Sequence, residues 1–133
     1  MNSGASPIRV LVAEDNLDLA NAICALIAAE PDMAMDGIVN HAADLLVAAA
    51  RLRPHVLVLD LNLGGKSSLP SLLQLQQSLP QLAVVIYSGH DPRDLGDMFT
   101  HSQRCEYVTK SGDPGELIGA IRHAATRAAD AED

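Results

Sequence analysis

The sequence predicts an α/β domain in which a doubly wound, five-stranded parallel sheet is flanked by five helices. Short runs of aliphatic residues alternate along the chain with longer amphipathic stretches. This alternation is typical of strand–helix–strand units joined by right-handed crossovers. The length of 133 residues fits one such domain, and a hydrophobic fraction of 48% is enough to form its core.

Three of the five predicted strands are continuous runs rich in Val, Ile and Leu. These runs are residues 8–13, 55–60 and 82–88. Runs without polar alternation suit strands that are buried on both faces, as in a parallel sheet covered by helices on either side. Weaker apolar stretches at 33–39 and 106–109 complete the predicted sheet.

The first two helices are predicted from apolar periodicity and from capping residues. Asn40 is the expected cap of the second helix. This helix ends at about Arg53, because the following Pro54 disfavours a helical conformation in the residue before it. The first helix presents one apolar face, which consists of Leu19, Ile23, Leu26 and Ile27.

Three further helices are predicted from their first residues. The third opens at Ser67 or Ser68. The fourth opens at the run DPRD (91–94), which places Pro at the first helical position. The run DPGE (113–116) opens the fifth and has the Asp-x-x-Glu spacing of a capping-box arrangement. The fifth helix is expected to bury Leu117, Ile121, Ala124 and Ala128.

The domain is expected to span residues 8–129, between an N-terminal tail (1–7) and a C-terminal tail or start of a linker (130–133). The N-terminal tail lacks the apolar region of a signal peptide, and no apolar run approaches the ~20 residues of a membrane span. Cys24 and Cys105 form no C-x-x-C pair and suit two reduced thiols. These features favour a cytoplasmic protein without membrane contact.

Charge and aromatic content argue against direct contact with nucleic acid. The formal net charge is −8, whereas binding to a phosphate backbone needs clustered Lys and Arg. Tyr87, Phe99 and Tyr107 are the only aromatic residues, too few for a surface on which bases stack.

Polar residues that can carry chemistry follow the predicted strands. Because the carboxyl ends of parallel strands meet at one edge of a sheet, these residues are expected to converge. Three carboxylates held close together repel one another and favour either protonation or a bound cation. An all-oxygen site suits Mg²⁺. Asp60 could then attack a phosphoryl group as a nucleophile, with Lys110 neutralising the transferred charge. The expected cluster contains Glu14, Asp15, Asp60, Ser88 and Lys110.

Four short motifs in this order resemble the receiver domains of two-component response regulators. They are AEDN at 13–16, LVLDLN at 57–62, IYSG at 86–89 and YVTK at 107–110. The resemblance covers nearly the whole chain, from Ile8 to Ala129, and implies a flavodoxin-like receiver fold. Each motif alone is weak, but the ordered set is specific.

The resemblance implies that Asp60 is phosphorylated in a Mg²⁺-dependent reaction. Asp15, Asp60 and the backbone carbonyl of Asn62 would bind the ion, and Glu14 would hold a metal-bound water. The donor would be a sensor histidine kinase or a phosphotransfer protein. The chain would catalyse its own phosphoryl transfer and autodephosphorylation, and would not otherwise be an enzyme.

The resemblance also implies a conformational switch. Ser88 and Lys110 would contact the phosphoryl oxygens, and Tyr107 would be the aromatic residue that changes rotamer. The run KSGDPGEL (110–117) is similar to receivers of the NarL/FixJ type, which usually precede a helix-turn-helix DNA-binding domain. No such domain is present in this sequence, so the chain is expected to be either a stand-alone receiver or part of a longer protein with a transcriptional output. Homodimer formation stays open.

The sequence departs from the family pattern at three places, one of which is Ser111, where the family frequently has proline after the lysine. Gly64 stands where the family commonly has proline, which predicts a looser loop after the phosphoacceptor. The segment 102–106 (SQRCE) replaces a run of small residues and predicts an unusual output face. His90, two residues past Ser88, lies where receivers often carry a side chain that affects the lifetime of the phosphoryl group.

Parts of the sequence also suggest three other interpretations. GGKS at 64–67 lacks the glycine that a P-loop needs five residues before Gly65, so a loop and helix start are expected there. A small phosphohydrolase with an aspartyl-phosphate intermediate commonly has a second Asp two residues after its nucleophile, where this chain has Asn62. A receiver-like module that no longer uses phosphorylation is the remaining alternative, favoured only by segment 102–106.

Overall fold

The computed structural model describes residues 6–89 and 105–132. In chain order the strands are β1 (Ile8–Ala13), β2 (Met33–Val39), β3 (Val56–Leu59), β4 (Asn62–Leu63), β5 (Lys66–Ser67), β6 (Ala83–Ser88) and β7 (Cys105–Thr109). The helices are α1 (Leu17–Ala28), α2 (Ala42–Leu52), α3 (Leu69–Ser78) and α4 (Pro114–Glu132).

The main sheet has five parallel strands in the order β2-β1-β3-β6-β7, which confirms the predicted fold class. All residues of β3 and β6 are buried, as expected of strands covered on both faces. The predicted fourth helix at 91–94 lies outside the described residues, as do His90, Phe99 and most of segment 102–106. The fifth predicted helix is α4.

Two apolar clusters hold the layers together, one on each face of the sheet. Helices α1 and α4 cover one cluster, and α2 and α3 cover the other. The aliphatic side chains of β1 and β3 alternate between them: Val10 and Val56 face α1 and α4, whereas Leu11 and Leu57 face α2 and α3. In the described part of the chain, no helix combines the length and the apolar character of a membrane span.

Helix α4 begins at Pro114, directly after the predicted capping residue Asp113. The Asp113 carboxylate accepts a hydrogen bond from the Gly115 N–H at 3.1 Å, which satisfies one of the free donors of the first turn. The four residues predicted to face the core are buried, and Ile118 joins them. The helix continues to Glu132, so it passes without a break through the domain boundary expected at residue 129.

Asn40 does not cap α2, which corrects the sequence prediction. Its side-chain amide donates instead to the backbone carbonyl of Glu14 at 3.2 Å, just beyond the end of β1. The N-cap position belongs to His41, whose side chain makes no capping hydrogen bond. The carbonyl of Glu14 lies past the last residue of a strand, and Asn40 provides it with a donor.

The run GGKS forms the turn and the second strand of a hairpin, not the loose loop that was expected. Asn62–Leu63 pairs antiparallel with Lys66–Ser67, and the turn between them is Gly64-Gly65. Both glycines have positive φ angles, 60° and 80°. Two-residue hairpin turns of this type require positive φ at both positions, which favours glycine. The loop after Asp60 is therefore short and hydrogen-bonded.

The loop between α1 and β2 is tied to α4 by an exposed ion cluster. The guanidinium of Arg122 contacts Glu30 and lies 2.9 Å from Asp32. The hydrogen bond from Arg122 lowers the pKa of the Asp32 carboxyl below its ordinary value. Since its pKa is lower in the folded state, Asp32 stabilises the fold above its unfolded pKa, and this contribution disappears as the pH falls through the folded value.

We expect Arg122→Ala to raise the pKa of Asp32 towards its ordinary value, because the hydrogen bond that lowers it is removed. A carbon-detected NMR titration of the Asp32 carboxyl measures this shift. Arg51→Ala is the matched control, since Arg51 lies on α2 across the sheet. An unchanged Asp32 pKa in Arg122→Ala would show that the contact does not persist in solution.

Candidate functional site

The residues singled out by the sequence lie at the carboxyl edge of the main sheet, where backbone hydrogen bonds fix three of them. Each bond extends the parallel ladder by one residue beyond a strand. The Glu14 N–H donates to the Val39 carbonyl (2.9 Å), the Asp60 N–H to the Ala13 carbonyl (3.0 Å), and the Lys110 N–H to the Ser88 carbonyl (2.8 Å).

Lys110 connects two of the carboxylates. Its ammonium nitrogen lies 2.9 Å from Glu14 Oε1 and 3.0 Å from Asp60 Oδ2. Glu14 and Asp60 are both buried, with 2% and 8% of their surface exposed. A buried anion is costly without a partner, and Lys110 supplies one cation for two such anions.

The second oxygen of each buried carboxylate is bonded to the backbone. The Asn62 N–H donates to Asp60 Oδ1 at 3.0 Å, and the Asn16 N–H donates to Glu14 Oε2 at 3.1 Å. Asn16 also caps α1, because its side-chain oxygen accepts from the Leu19 N–H. These short-range bonds fix the orientation of both carboxylates at the carboxyl edge of the sheet.

The pKa values of the cluster reflect burial and charge together. Burial raises the pKa of the Glu14 carboxyl above its ordinary value, and the nearby charge of Asp60 adds to this effect. The hydrogen bond from Lys110 acts in the opposite direction and offsets only part of it. Burial by itself lowers the pKa of Lys110, but its bonds to Glu14 and Asp60 outweigh burial and the net shift is upward. Lys110 is therefore charged at neutral pH.

Asp15 completes an acidic cluster with a different environment. It is exposed, and its Oδ2 accepts a hydrogen bond from the Gly64 N–H at 3.1 Å. One carboxylate oxygen each from Glu14, Asp15 and Asp60 lie within 4.8 Å of one another. Three oxygen ligands at this spacing, open to solvent on one side, fit Mg²⁺, which retains several of its waters when bound to proteins.

The cluster lines an open cleft of about 380 Å³. Asn62 and Ser88 also line it, so the structure brings together all the predicted site residues except Tyr107. Ser88 is buried, with 1% of its surface exposed. A second cavity of about 410 Å³, bordered by Ile8 and His55, lies at the amino end of the strands and contains none of the cluster.

Tyr107 lies on β7, beside Ile86 of β6. It is half-buried and packs against the cluster under α2 and α3, so it lies on a face of the sheet and not at its carboxyl edge. Sequence reasoning missed three residues that organise the site: Asn16, Gly64 and Ser68. Asn16 had a readable signal, because Asn before an apolar helix is a common cap; the contacts of the other two depend on the hairpin.

Comparisons with known proteins agree with this architecture. The family model described as "Response regulator receiver domain" matches residues 10–122. The transcriptional regulatory protein YxjL of Bacillus subtilis is 27% identical over 118 residues, which cover 89% of this chain and 54% of YxjL. The nitrate/nitrite response regulator NarL of Escherichia coli K12 is 26% identical over 125 residues, covering 92% of this chain and 57% of NarL.

Solved structures share the fold. A LuxR-family two-component response regulator from Aurantimonas sp. SI85-9A1 superimposes with a TM-score of 0.83 at 23% identity, covering 91% of this chain and 86% of that chain. The chain spans a little over half the length of the two curated relatives it matches here.

We expect Lys110→Met to raise the pKa of Glu14 further, because the ammonium lowers it in the wild type. A group whose pKa is higher in the folded than in the unfolded state contributes its full stability to the fold below its unfolded pKa. This contribution is lost as the pH rises through its folded pKa. The variant should therefore lose stability increasingly with pH, by about 1–3 kcal/mol at neutral pH, as for a buried group left without its partner.

Urea denaturation in Mg²⁺-free buffer, at mildly acidic and at neutral pH, measures this difference. Lys66→Met is the control, since Lys66 is exposed in the β4–β5 hairpin and outside the ion pair. Equal stability losses at both pH values would contradict the electrostatic explanation.

Proposed function

The chain belongs to the response regulator receiver domain family, and we propose that it is a conformational switch set by phosphorylation of Asp60. One observation carries the proposal. Lys110 lies 3.0 Å from Asp60 Oδ2 inside a cluster of three carboxylates that fits a divalent cation. Among the described carboxylates, Asp60 combines a central position in the sheet, metal-ligating neighbours and a cation within hydrogen-bonding distance.

In the proposed reaction, a carboxylate oxygen of Asp60 forms a bond to phosphorus. The bond from phosphorus to the donor's leaving atom breaks as this bond forms. In a phosphohistidine donor the leaving atom is an imidazole nitrogen, and in acetyl phosphate it is the acyl-bearing oxygen. The product is an acyl phosphate on Asp60. A carboxylate oxygen brings its own electron pair to the new bond, so the proposed step uses no general base.

Asp15, Asp60 and the backbone carbonyl of Asn62 are the proposed protein ligands of Mg²⁺, and Glu14 would hold a metal-bound water. When bound, the ion supplies positive charge to the phosphoryl oxygens. Lys110 would also neutralise the negative charge of this group. Its three donors allow it to keep a carboxylate contact while it binds a phosphoryl oxygen.

Ser88 and Tyr107 are the proposed elements of the switch. Ser88 lines the cleft with Asp60, and its carbonyl accepts from the Lys110 N–H, so β6 and β7 are joined beside the phosphoacceptor. A hydrogen bond from the Ser88 hydroxyl to the phosphoryl group would shift the end of β6 and, through this backbone bond, the end of β7. Tyr107, three residues before Lys110 on β7, would change rotamer in response.

The proposed donor is a sensor histidine kinase or a phosphotransfer protein, and the proposed compartment is the cytoplasm. The named relatives include a transcriptional regulatory protein and a nitrate/nitrite response regulator. By that likeness we propose a transcriptional output through a helix-turn-helix domain, with residues 8–129 as the receiver unit. Catalysis would be confined to the chain's own phosphoryl transfer and autodephosphorylation.

We expect Asp60→Asn to abolish labelling by acetyl phosphate in the presence of Mg²⁺, because the amide is not a nucleophile for this transfer. Mass spectrometry of the intact protein detects the added phosphoryl group, and chelation of Mg²⁺ should prevent labelling of the wild type. Asp44→Asn, at an exposed carboxylate on α2, is the control and should be labelled normally. Full labelling of Asp60→Asn would show that Asp60 is not the phosphoacceptor.

We expect Ser88→Ala to accept phosphate but to switch only in part. Moving a two-state equilibrium from 1:99 to 99:1 takes about 5.5 kcal/mol. One hydrogen bond to a charged group contributes about 1.5–3 kcal/mol, so Lys110 must supply much of the rest. NMR shifts on β7 with and without beryllofluoride report the switched population. Ser88→Thr retains the hydroxyl and should switch fully; a complete switch in Ser88→Ala would contradict the coupling.

A further inference from the structure

The β4–β5 hairpin reaches from one proposed metal ligand to another. Its base is tied to Asp60, whose backbone carbonyl accepts from the Ser68 hydroxyl at 2.7 Å and whose Oδ1 accepts from the Asn62 N–H at 3.0 Å. Its tip reaches Asp15 through the 3.1 Å hydrogen bond from the Gly64 N–H. Backbone atoms of one short hairpin therefore contact both carboxylates.

The direction of the Gly64 N–H depends on the turn conformation. Gly64 and Gly65 have φ angles of 60° and 80°, in the left-handed region that other residues adopt only at a cost. A Cβ on Gly64 would meet no atom closer than His41 Nδ1 at 3.9 Å. Space alone would accept a side chain there, so glycine is favoured for its backbone angle.

Asp15 has more need of positioning than the other two acids. Glu14 and Asp60 are buried and each bonded to Lys110 and to a backbone N–H. Asp15 is exposed in the loop between β1 and α1, and in the described part of the chain its carboxylate has one hydrogen-bond donor, the Gly64 N–H. Without that bond, ordering the side chain around a cation would cost conformational entropy.

We propose that Gly64 is a positioning residue for the Mg²⁺ site. Its N–H holds one oxygen of Asp15 and leaves the other available to the cation, as outer-shell donors do for metal-ligating carboxylates. This inference rests on the proposed function, because it concerns the same site. A proline at this position would have no N–H to donate and could not adopt the observed φ.

The test is to replace Gly64 with glycolic acid, which exchanges the amide for an ester and removes the N–H without adding a side chain. We expect Mg²⁺ to bind about tenfold more weakly, at the lower end of outer-shell effects. Glycolic acid at Gly65 removes an N–H from the same turn but not the one that meets Asp15, and it should weaken binding much less. An NMR titration with Mg²⁺ alone measures the dissociation constant of the ion for each of the two ester variants.

Two further measurements separate positioning from a general structural defect. The rate of labelling by acetyl phosphate should return to the wild-type value at saturating Mg²⁺ in the Gly64 ester, because only metal affinity is impaired. In Mg²⁺-free buffer, Asp15→Ala should speed hydrogen exchange of the Gly64 amide and leave that of Asn62 unchanged. The exchange measurement does not depend on the metal.

The outcomes distinguish the two proposals. If the wild type is labelled on Asp60 but the Gly64 ester binds Mg²⁺ as tightly as the wild type, the positioning role is wrong and the proposed function stands. Unchanged exchange of the Gly64 amide in Asp15→Ala would also overturn the positioning role. A wild type that neither binds Mg²⁺ nor accepts phosphate would overturn the proposed function and this inference with it.

Discussion

The site depends on how the parallel ladder ends. Glu14, Asp60 and Lys110 each donate a backbone hydrogen bond to the last residue of the neighbouring strand. These three bonds set the spacing of the carboxylates and the ammonium before any side-chain interaction is counted. The strands behind them are filled with aliphatic side chains that face two separate clusters. The positions of the charged atoms at the edge of the sheet therefore depend on how the core is packed.

Charge balance at this edge is incomplete, and this shapes the chemistry. One ammonium contacts two buried carboxylates, while a third carboxylate remains exposed beside them. The raised pKa of Glu14 shows that Lys110 does not fully compensate for burial and for the charge of Asp60. A divalent cation would relieve the remaining repulsion, and a phosphoryl group would then add negative charge that both cations can share. The arrangement suits a reaction in which charge arrives in stages.

The sequence predicted the fold and the convergence of the site because both follow from local patterns. Aliphatic runs identify strands buried on both faces, and topology places the residues after those strands at one edge. The contacts of Asn40 and Gly64 were not predictable in this way. Asn40 follows a strand and precedes a helix, so capping was its expected role. Its side-chain amide instead donates a hydrogen bond to the backbone carbonyl of Glu14. The strands on either side of Gly64 have two residues each, which is too short for an alternation of apolar and polar residues to reveal their pairing.

The position of Lys110 has a mechanical consequence. Asp60 follows β3, the middle strand of five, which is hydrogen-bonded on both sides, whereas Lys110 follows β7, which the described sheet bonds only through β6. A strand bonded along one side can shift at a lower cost than one bonded along both, because fewer ladder bonds must adjust. The two partners of the ion pair are thus attached to supports of unequal stiffness. A change of charge at Asp60 would therefore displace β7 more readily than β3.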